Sequence, residues 1–246
     1  MTDVDAMPWS RTLSLIGEHG MARLGAAQVL VVGLGGVGGH AVEALARAGI
    51  GALTVVDGDV IEPSNLNRQL LARHSTLGRP KVAAMAEHLA DIAPHCRVRA
   101  IEQFVRPEDM PALVVPEYTA VLDAIDQVAS KVALLAAALR AGVPVFSSMG
   151  AGGRLDPLRL RCGDLMETRD CGLARAVRQR LRRLGYGPGV MAVWSDEPPR
   201  RPVRLPCAPR PSPGTISYLP ALFGLTLAGC LLQSVLAVST ADNAAV

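Results

Sequence analysis

The stretch AQVLVVGLGGVGG at residues 27–39 decides the fold. Its apolar first half, residues 27–32, predicts a short buried strand, and the Ala-rich segment at residues 38–48 predicts a helix. The glycines between them fit the pattern G-x-G-x-x-G. Glycines let the backbone approach a nucleotide closely, and a helix N-terminus favours its anionic phosphates. The stretch therefore predicts a phosphate-binding loop that contains Gly33, Gly35, Gly36 and Gly38, with a ligand-free tight turn as the alternative.

Beyond this loop, strand patterns and helix patterns continue to alternate along the chain. Further strands are predicted at residues 52–56, 97–101, 120–123 and 143–147, and helices at residues 80–92, 130–141 and 173–184. Half of the residues are apolar and only 3% are aromatic, which suits buried parallel strands with helices on both faces. We therefore expect an α/β fold, with a Rossmann-like, doubly wound and mainly parallel sheet, in one domain over residues 1–246.

The second strand ends at Asp57, an acid that is placed to bind the ribose hydroxyls of a nucleotide. The next residues, 58–69, read GDVIEPSNLNRQ, and Lys81 opens the following helix. Arginine offers a planar fork for phosphate oxygens, and lysine offers a point charge. A nicotinamide-dependent dehydrogenase needs none of these side chains, so the segment favours a triphosphate. The nucleotide-binding residues expected here are Asp57, Asp59, Ser64, Asn65, Asn67, Arg68, Gln69 and Lys81.

A carboxylate follows the fourth strand at Asp126. Ligands bind beyond the carboxyl ends of the strands in sheets of this kind. Because Mg²⁺ is commonly held by one or two carboxylates together with substrate phosphates, Asp126 is the predicted Mg²⁺ ligand. A helix cap is the alternative role for this side chain.

Five separated pieces of the first 148 residues resemble the ubiquitin-activating-enzyme-like group that includes ThiF, MoeB and HesA. They are the glycine loop, RAGIG at residues 47–51, residues 57–69, Lys81 and Asp126. The resemblance implies ATP- and Mg²⁺-dependent adenylation of a carboxylate, with Asn65, Arg68 and Lys81 stabilising charge on the α-phosphate. It also implies that Arg11 reaches into the site of a partner subunit, and hence that the protein is a homodimer.

The second half of the chain narrows the resemblance. Members that activate sulfur-carrier proteins usually have two C-x-x-C pairs, and this sequence has none. From residue 150 the chain instead resembles the branch that acts on threonylcarbamoyladenosine in tRNA, through GAGGRLDP at 150–157, SDEP at 195–198 and PGTISYLP at 213–220. This resemblance implies adenylation of the threonyl carboxylate, ring closure within the substrate and, in some members, a sulfur-transfer partner protein. The chain departs from the branch at Cys171-Gly172, which more often reads Asp-Pro, so both a thiol-acceptor role and a helix-entry role stay open for Cys171.

Arginines crowd residues 154–183, where nine of them face only four acids. Such a basic stripe can neutralise the phosphates of a nucleic acid, which independently favours a tRNA partner. The alternative is a solvated helix in a protein that generally uses arginine as its cation. The predicted tRNA-binding residues are Arg154, Arg175, Arg178 and Arg182.

Compartment and membrane contact are predicted from the remaining sequence. Five cysteines at irregular spacing indicate a reducing compartment, so we expect a cytoplasmic protein. Residues 216–238 form an uncharged apolar helix that is long enough to span a bilayer; a buried helix is the favoured interpretation, and membrane contact is the alternative. Residues 198–214 are rich in Pro and Arg and predict a mobile loop.

Three other functions compete with this interpretation. Adenylation of the C-terminal Gly of a ubiquitin-like sulfur carrier uses the same nucleotide site. A nicotinamide-dependent oxidoreductase accounts for the glycine loop and Asp57 but leaves Asn65, Arg68, Lys81 and Asp126 without a role. A non-catalytic scaffold attached to a membrane through the apolar helix is the third alternative.

Overall fold

The computed structural model describes residues 9–201, 203 and 214–237. Its centre is a seven-stranded sheet in the order β3-β2-β1-β4-β5-β7-β6. All neighbouring strands are parallel except the pair of β6 and β7. This arrangement confirms the predicted α/β fold. The strands are β1 Gln28–Val32, β2 Ala52–Asp57, β3 Arg97–Glu102, β4 Ala120–Asp123, β5 Val145–Ser148, β6 Leu160–Asp164 and β7 Val190–Ser195.

Helices cover both faces of the sheet because consecutive strand residues point to opposite sides. On one face, α1, α2, α3 and α7 share an apolar core with strand residues such as Val29 and Val31. On the other face, α4, α5 and α6 pack against Leu30 and Val32. The helices are α1 Ser10–Ala26, α2 Gly38–Ala48, α3 Lys81–Ile92, α4 Met110–Leu113, α5 Val128–Ala141, α6 Gly172–Arg183 and α7 Tyr218–Ala237.

Several elements differ from the sequence prediction. Helix α1 and strands β6 and β7 were not predicted, and they flank the predicted alternating core. Helix α6 buries Val177 and Leu181, as its apolar stripe requires, but Leu184 lies beyond the helix end and its side chain is exposed. Most of the predicted mobile loop, 202 and 204–213, lies outside the described residues, and 198–201 have no regular secondary structure.

Helix α7 is the apolar C-terminal helix that the sequence predicts, and it is long and apolar enough to cross a membrane. Eight of its residues are buried against α2, α1 and the sheet. The approach to α2 is close: a Cβ added at Gly224 would lie 2.2 Å from the carbonyl oxygen of Val37. These contacts are those of a core helix, and they support the favoured interpretation of a buried helix.

The topology places the candidate site at one edge of the sheet. From β1, the chain runs through β2 and β3 to one side, and β4 then returns to the opposite side of β1. Doubly wound sheets bind ligands at such a reversal, in the crevice beyond the carboxyl ends of the strands. The glycine loop follows β1 at this point, and Asp126 follows β4.

Candidate nucleotide site

The glycine loop between β1 and α2 is a close-packed turn. Gly33 has φ of 96°, a left-handed conformation that disfavours other residues. A Cβ at Gly38 would lie 1.8 Å from the carbonyl oxygen of Gly33, so no larger residue fits there. A Cβ at Gly35, in contrast, would meet only the Gln69 amide nitrogen, at 3.9 Å. The loop therefore combines positions that need glycine for packing with a position that leaves open space.

Asp57 holds this loop against the end of β2. Its carboxylate accepts hydrogen bonds from the amide of Leu34 at 2.6 Å and from the amide of Asp59 at 2.8 Å. Each carboxylate oxygen has lone pairs beyond those two bonds. The predicted ribose acid therefore also sets the position of the phosphate loop relative to the segment after β2.

Lys81 is buried beside two acids, with only 4% of its surface exposed. Its Nζ lies 2.6 Å from Oδ2 of Asp59 and 4.0 Å from Oδ1 of Asp57. Asp59 is half-exposed, so one face of this cluster opens to the space beyond the sheet. The ammonium group has three donors, and Asp59 takes one of them in a hydrogen bond.

The segment after Asp59 folds over the glycine loop in a short 3-10 turn, Pro63–Asn65. Asn65 is buried, and its side-chain oxygen accepts a hydrogen bond from the amide of Glu62. The Arg68 guanidinium donates to the Ser64 carbonyl and to the Asn67 side chain, both at 2.8 Å. The Arg68 side chain would also lie 3.4 Å from a Cβ at Gly36, which places its stem against the loop.

Two further predicted residues, Asn67 and Gln69, also lie in the segment beside the glycine loop. Asn67 donates to the Thr215 carbonyl at 2.9 Å and ties the segment to the residues before α7. Gln69 lies beside Gly35, as the near contact there shows. Pro220 of α7 stands 3.0 Å from a Cβ at Gly36, so α7 forms a wall of the same site.

The loop after β4 lies beside the glycine loop. The carbonyl oxygen of Ala124 would be 2.8 Å from a Cβ at Gly33. Asp126, two residues later, is exposed. The described residues contain no cluster of three or more His, Cys, Asp or Glu side chains that could hold a metal ion, so Asp126 belongs to no such cluster.

A buried ion pair beneath this loop was not predicted as part of the site. Asp123 and Lys131 are both 0% exposed, and Lys131 Nζ lies 2.7 Å from Asp123 Oδ2. Ser147 donates to the same carboxylate at 2.6 Å, and Lys131 also donates to the Ile125 carbonyl at 2.8 Å. The sequence offered one signal, because Lys131 and Lys81 are the only lysines in the chain. The pair fixes the course of the loop that carries Asp126.

The structure separates the four predicted tRNA-binding arginines. Arg175 and Arg182 are exposed on α6. Arg154 is only 4% exposed and donates to the carbonyls of Gly150, Gly152, Asp170 and Glu197. The prediction of a tRNA contact is therefore wrong for Arg154, because its guanidinium is an internal brace for the surrounding backbone.

Arg178 is a partial correction of the same kind. Its guanidinium donates to the carbonyl and the hydroxyl of Thr168, so it is occupied within the protein. Burial lowers the pKa of Arg178, and the nearby charges of Arg182 and Arg175 lower it further. The outward-facing cations of α6 are Arg175, Arg180, Arg182 and Arg183, which we call the α6 arginines.

Glu197, in the SDEP segment at residues 195–198, has a structural role. Its carboxylate accepts hydrogen bonds from the amides of Asp156 at 2.8 Å and Leu155 at 2.9 Å. The bond from Asp156, supported by that from Leu155, holds the pKa of Glu197 below its usual value although burial acts to raise it. The segment therefore links residues 153–156 to the end of β7.

The two remaining sequence predictions have clear positions. Arg11 is exposed in the first turn of α1. Cys171 is buried at the N-cap of α6, and its sulfur accepts a hydrogen bond from the amide of Ala174 at 3.5 Å. A side-chain oxygen normally caps a helix N-terminus. The Cys171 sulfur is therefore a weaker cap than the aspartate that related sequences more often have at this position. This geometry favours the helix-entry role of Cys171.

Two glycine substitutions are expected to separate packing from ligand binding. Gly38→Ala forces a Cβ into the backbone of Gly33, so we expect a lower melting temperature and loss of ATP-induced stabilisation. Gly35→Ala has room in the protein and should melt near the wild type, yet it should weaken ATP binding because the loop backbone must approach phosphate closely. Thermal melts with and without Mg-ATP measure both effects. Equal melting temperatures for the two variants would contradict this description of the loop.

Several known proteins are similar to this chain in both sequence and structure. A tRNA threonylcarbamoyladenosine dehydratase of Bacillus subtilis is 36% identical over 239 residues, which cover 93% of this chain and 94% of that protein. The structure of E. coli tRNA N6-threonylcarbamoyladenosine dehydratase in complex with AMP matches with a TM-score of 0.89 at 34% identity, over 98% of each chain. Its complex with ATP matches with a TM-score of 0.88 over the same share. The sequence profile of the ThiF family matches residues 9–245, and the chain therefore belongs to the ThiF family.

Proposed function

We propose that this chain is an ATP-dependent tRNA threonylcarbamoyladenosine dehydratase. Its similarity to the dehydratases of Bacillus subtilis and E. coli over more than nine-tenths of the chain is the observation that carries the proposal. The threonyl carboxylate of the modified nucleoside attacks the α-phosphate of ATP, and pyrophosphate leaves. A nucleophile in the same side chain then attacks the acyl carbon, closes a ring and expels AMP. The net change in the nucleoside is the loss of one water.

The proposed nucleotide contacts follow from the walls of the site. Backbone amides of the glycine loop bind phosphate at the N-terminus of α2. The Asp57 carboxylate accepts hydrogen bonds from the ribose hydroxyls. Arg68 and Lys81 supply positive charge to the α-phosphate during attack, and Asn65 adds a neutral donor. Donors that are already in place stabilise such a transition state without reorganising when the charge develops. Asp59, Ser64, Asn67 and Gln69 complete the proposed lining.

Asp126 is the proposed Mg²⁺ ligand. It is exposed, and it follows a loop whose Ala124 carbonyl touches the glycine loop. Mg²⁺ keeps several waters and is commonly bound by one or two carboxylates with substrate phosphates, so a single carboxylate suits it. A Mg²⁺ ion held by Asp126 would neutralise phosphate charge, while the residues of this chain position the nucleotide.

We also propose that the enzyme works as a cytoplasmic homodimer in which Arg11 enters the site of the partner subunit. Its exposure in the first turn of α1 supports this role, because the side chain is available to another chain. The helix at residues 218–237 belongs to the core face of the domain, so the proposal needs no membrane contact. A sulfur-transfer partner stays a prediction from the family resemblance.

The α6 arginines form the proposed tRNA-binding surface. Exchanging Arg175 and Arg182 for glutamate should weaken tRNA binding and reduce the slope of log affinity against log salt by about 2, because each arginine neutralises one phosphate. Titrations of tRNA at several salt concentrations measure that slope. The matched control exchanges Arg97 and Arg99 for glutamate on the exposed edge strand β3, with the same change of charge. Equal losses in both double variants would show that net charge, and not this surface, binds tRNA.

Nucleoside mass spectrometry tests the proposed reaction. The enzyme is incubated with Mg-ATP and tRNA that carries threonylcarbamoyladenosine, and the tRNA is then digested to nucleosides under mild conditions. The proposal expects the modified nucleoside to become lighter by the mass of one water. An unchanged nucleoside with active, ATP-binding enzyme would refute it.

A further inference from the structure

Two cysteines meet between the edge strand β6 and helix α7. Cys162 pairs with Val193 across the antiparallel strands, and Val193 belongs to the core that α7 shares. Residues that pair directly across two strands point to the same face, so Cys162 faces α7. Cys230 lies on α7 and packs against the same core. The Cys162 thiol also lies near enough to Cys230 to raise the pKa of Cys230.

This pair is also reachable from solvent. Cys162 is exposed and Cys230 is partly exposed, whereas Cys96 and Cys171 are buried. The strand that carries Cys162 is the last in the sheet, so its outer edge has no neighbouring strand among the described residues. Among the cysteines that the structure describes, Cys162 and Cys230 therefore lie on the same face of the sheet and are both accessible to solvent.

We propose that Cys162 and Cys230 form a reactive dithiol that small-molecule disulfides, such as oxidised glutathione, convert to an intramolecular disulfide. The Cys162 thiolate attacks one sulfur of the small disulfide, which gives a mixed disulfide and releases one small thiol. Cys230 then loses its proton to solvent and attacks the Cys162 sulfur, releasing the second small thiol. Two protein thiols are oxidised, and one small disulfide is reduced to two thiols.

The environment of the two sulfurs sets this order. Burial raises the pKa of Cys230 to about 11, and the neighbouring Cys162 raises it as well. A thiol attacks only as the thiolate, so the exposed Cys162 reacts first and Cys230 resolves the mixed disulfide. The disulfide requires the two sulfurs to approach to an S–S distance of about 2.0 Å.

The cross-link would tie the edge of the sheet to the helix that borders the nucleotide loop. It closes a long loop of chain between positions 162 and 230, which restricts the unfolded chain and stabilises the fold. The melting temperature is therefore expected to rise on oxidation and to return after treatment with dithiothreitol. This readout does not depend on the proposed reaction, so it stays informative whatever the substrate is.

Peptide mapping after incubation of the full-length protein with oxidised glutathione tests the proposal. A cross-linked peptide pair that contains Cys162 and Cys230 is expected in the wild type. Cys230→Ser should stop at a stable glutathione adduct on Cys162, and Cys162→Ser should lose the cross-link. Cys207 lies outside the described residues, so Cys207→Ser is the necessary control and should keep both the cross-link and the rise in melting temperature. A glutathione adduct on Cys162 that persists in Cys207→Ser, or a Cys162–Cys207 cross-link in the wild type, would overturn the assignment.

Discussion

Arg68→Ala and Lys81→Ala are each expected to slow adenylation by about 10³-fold. The Arg68 stem lies against Gly36, and Lys81 lies beside Asp57 and Asp59. In the proposed reaction both cations face the α-phosphate, where negative charge develops during attack. Their removal leaves that charge without a prearranged donor. Pyrophosphate release at saturating ATP and tRNA measures the loss. Arg99→Ala removes an exposed arginine from the edge strand β3 and should keep wild-type turnover.

Two further variants separate chemistry from folding. Lys81 is buried between Asp57 and Asp59, so Lys81→Ala also leaves two acids without their cation. Lys81→Ala combined with Asp59→Asn should regain stability while turnover stays low. For Arg68, mixing the Arg68→Ala protein with the Arg11→Ala protein should restore partial activity if Arg11 acts across a dimer. Wild-type rates for Arg68→Ala or Lys81→Ala would eliminate the proposed roles.

Lys131→Met is expected to destabilise the protein by about 3–5 kcal/mol. Its partner Asp123 has no exposed surface, and the substitution leaves that carboxylate buried without its cation. Urea unfolding followed by circular dichroism measures the change in the free energy of unfolding. Arg140→Met, an exposed position on the same helix, is the matched control and should change stability little.

The same substitution should also weaken ATP binding. Lys131 donates to the Ile125 carbonyl and so holds the loop that places Ala124 against Gly33 and carries Asp126. Adding Asp123→Asn to Lys131→Met removes the stranded charge, so stability should recover more than ATP affinity does. A loss of stability no larger than that of Arg140→Met would contradict the structural role of the pair.

Local patterns predicted the half of the molecule that binds the nucleotide. The apolar run before Gly33 predicts strand β1, and the glycines follow that strand directly. Asp57 ends the second apolar run, which predicts strand β2. Their meeting at one sheet edge follows from parallel topology. The walls made by Pro220 and Thr215 come from the distant C-terminal segment, and no short-range pattern identifies such contacts.

Three features outside the predicted alternating core show where sequence patterns fail. Strand β6 contains Gly163 and Asp164, residue types that are depleted in strands, and it is a strand because it pairs with β7. Helix α1 is interrupted by Gly17, whose φ is 69°, so it lacks a continuous helical period. Arg154 illustrates the limit for the site, because its four carbonyl partners span positions 150 to 197 and hide it from solvent.

Formation of AMP and pyrophosphate from ATP, measured with two tRNA samples, tests the central claim most directly. One sample carries threonylcarbamoyladenosine, and the other is the same tRNA without that modification. The proposed function predicts turnover with the modified tRNA alone. Equal turnover with both tRNA samples, or turnover that requires a small sulfur-carrier protein in place of tRNA, would contradict it.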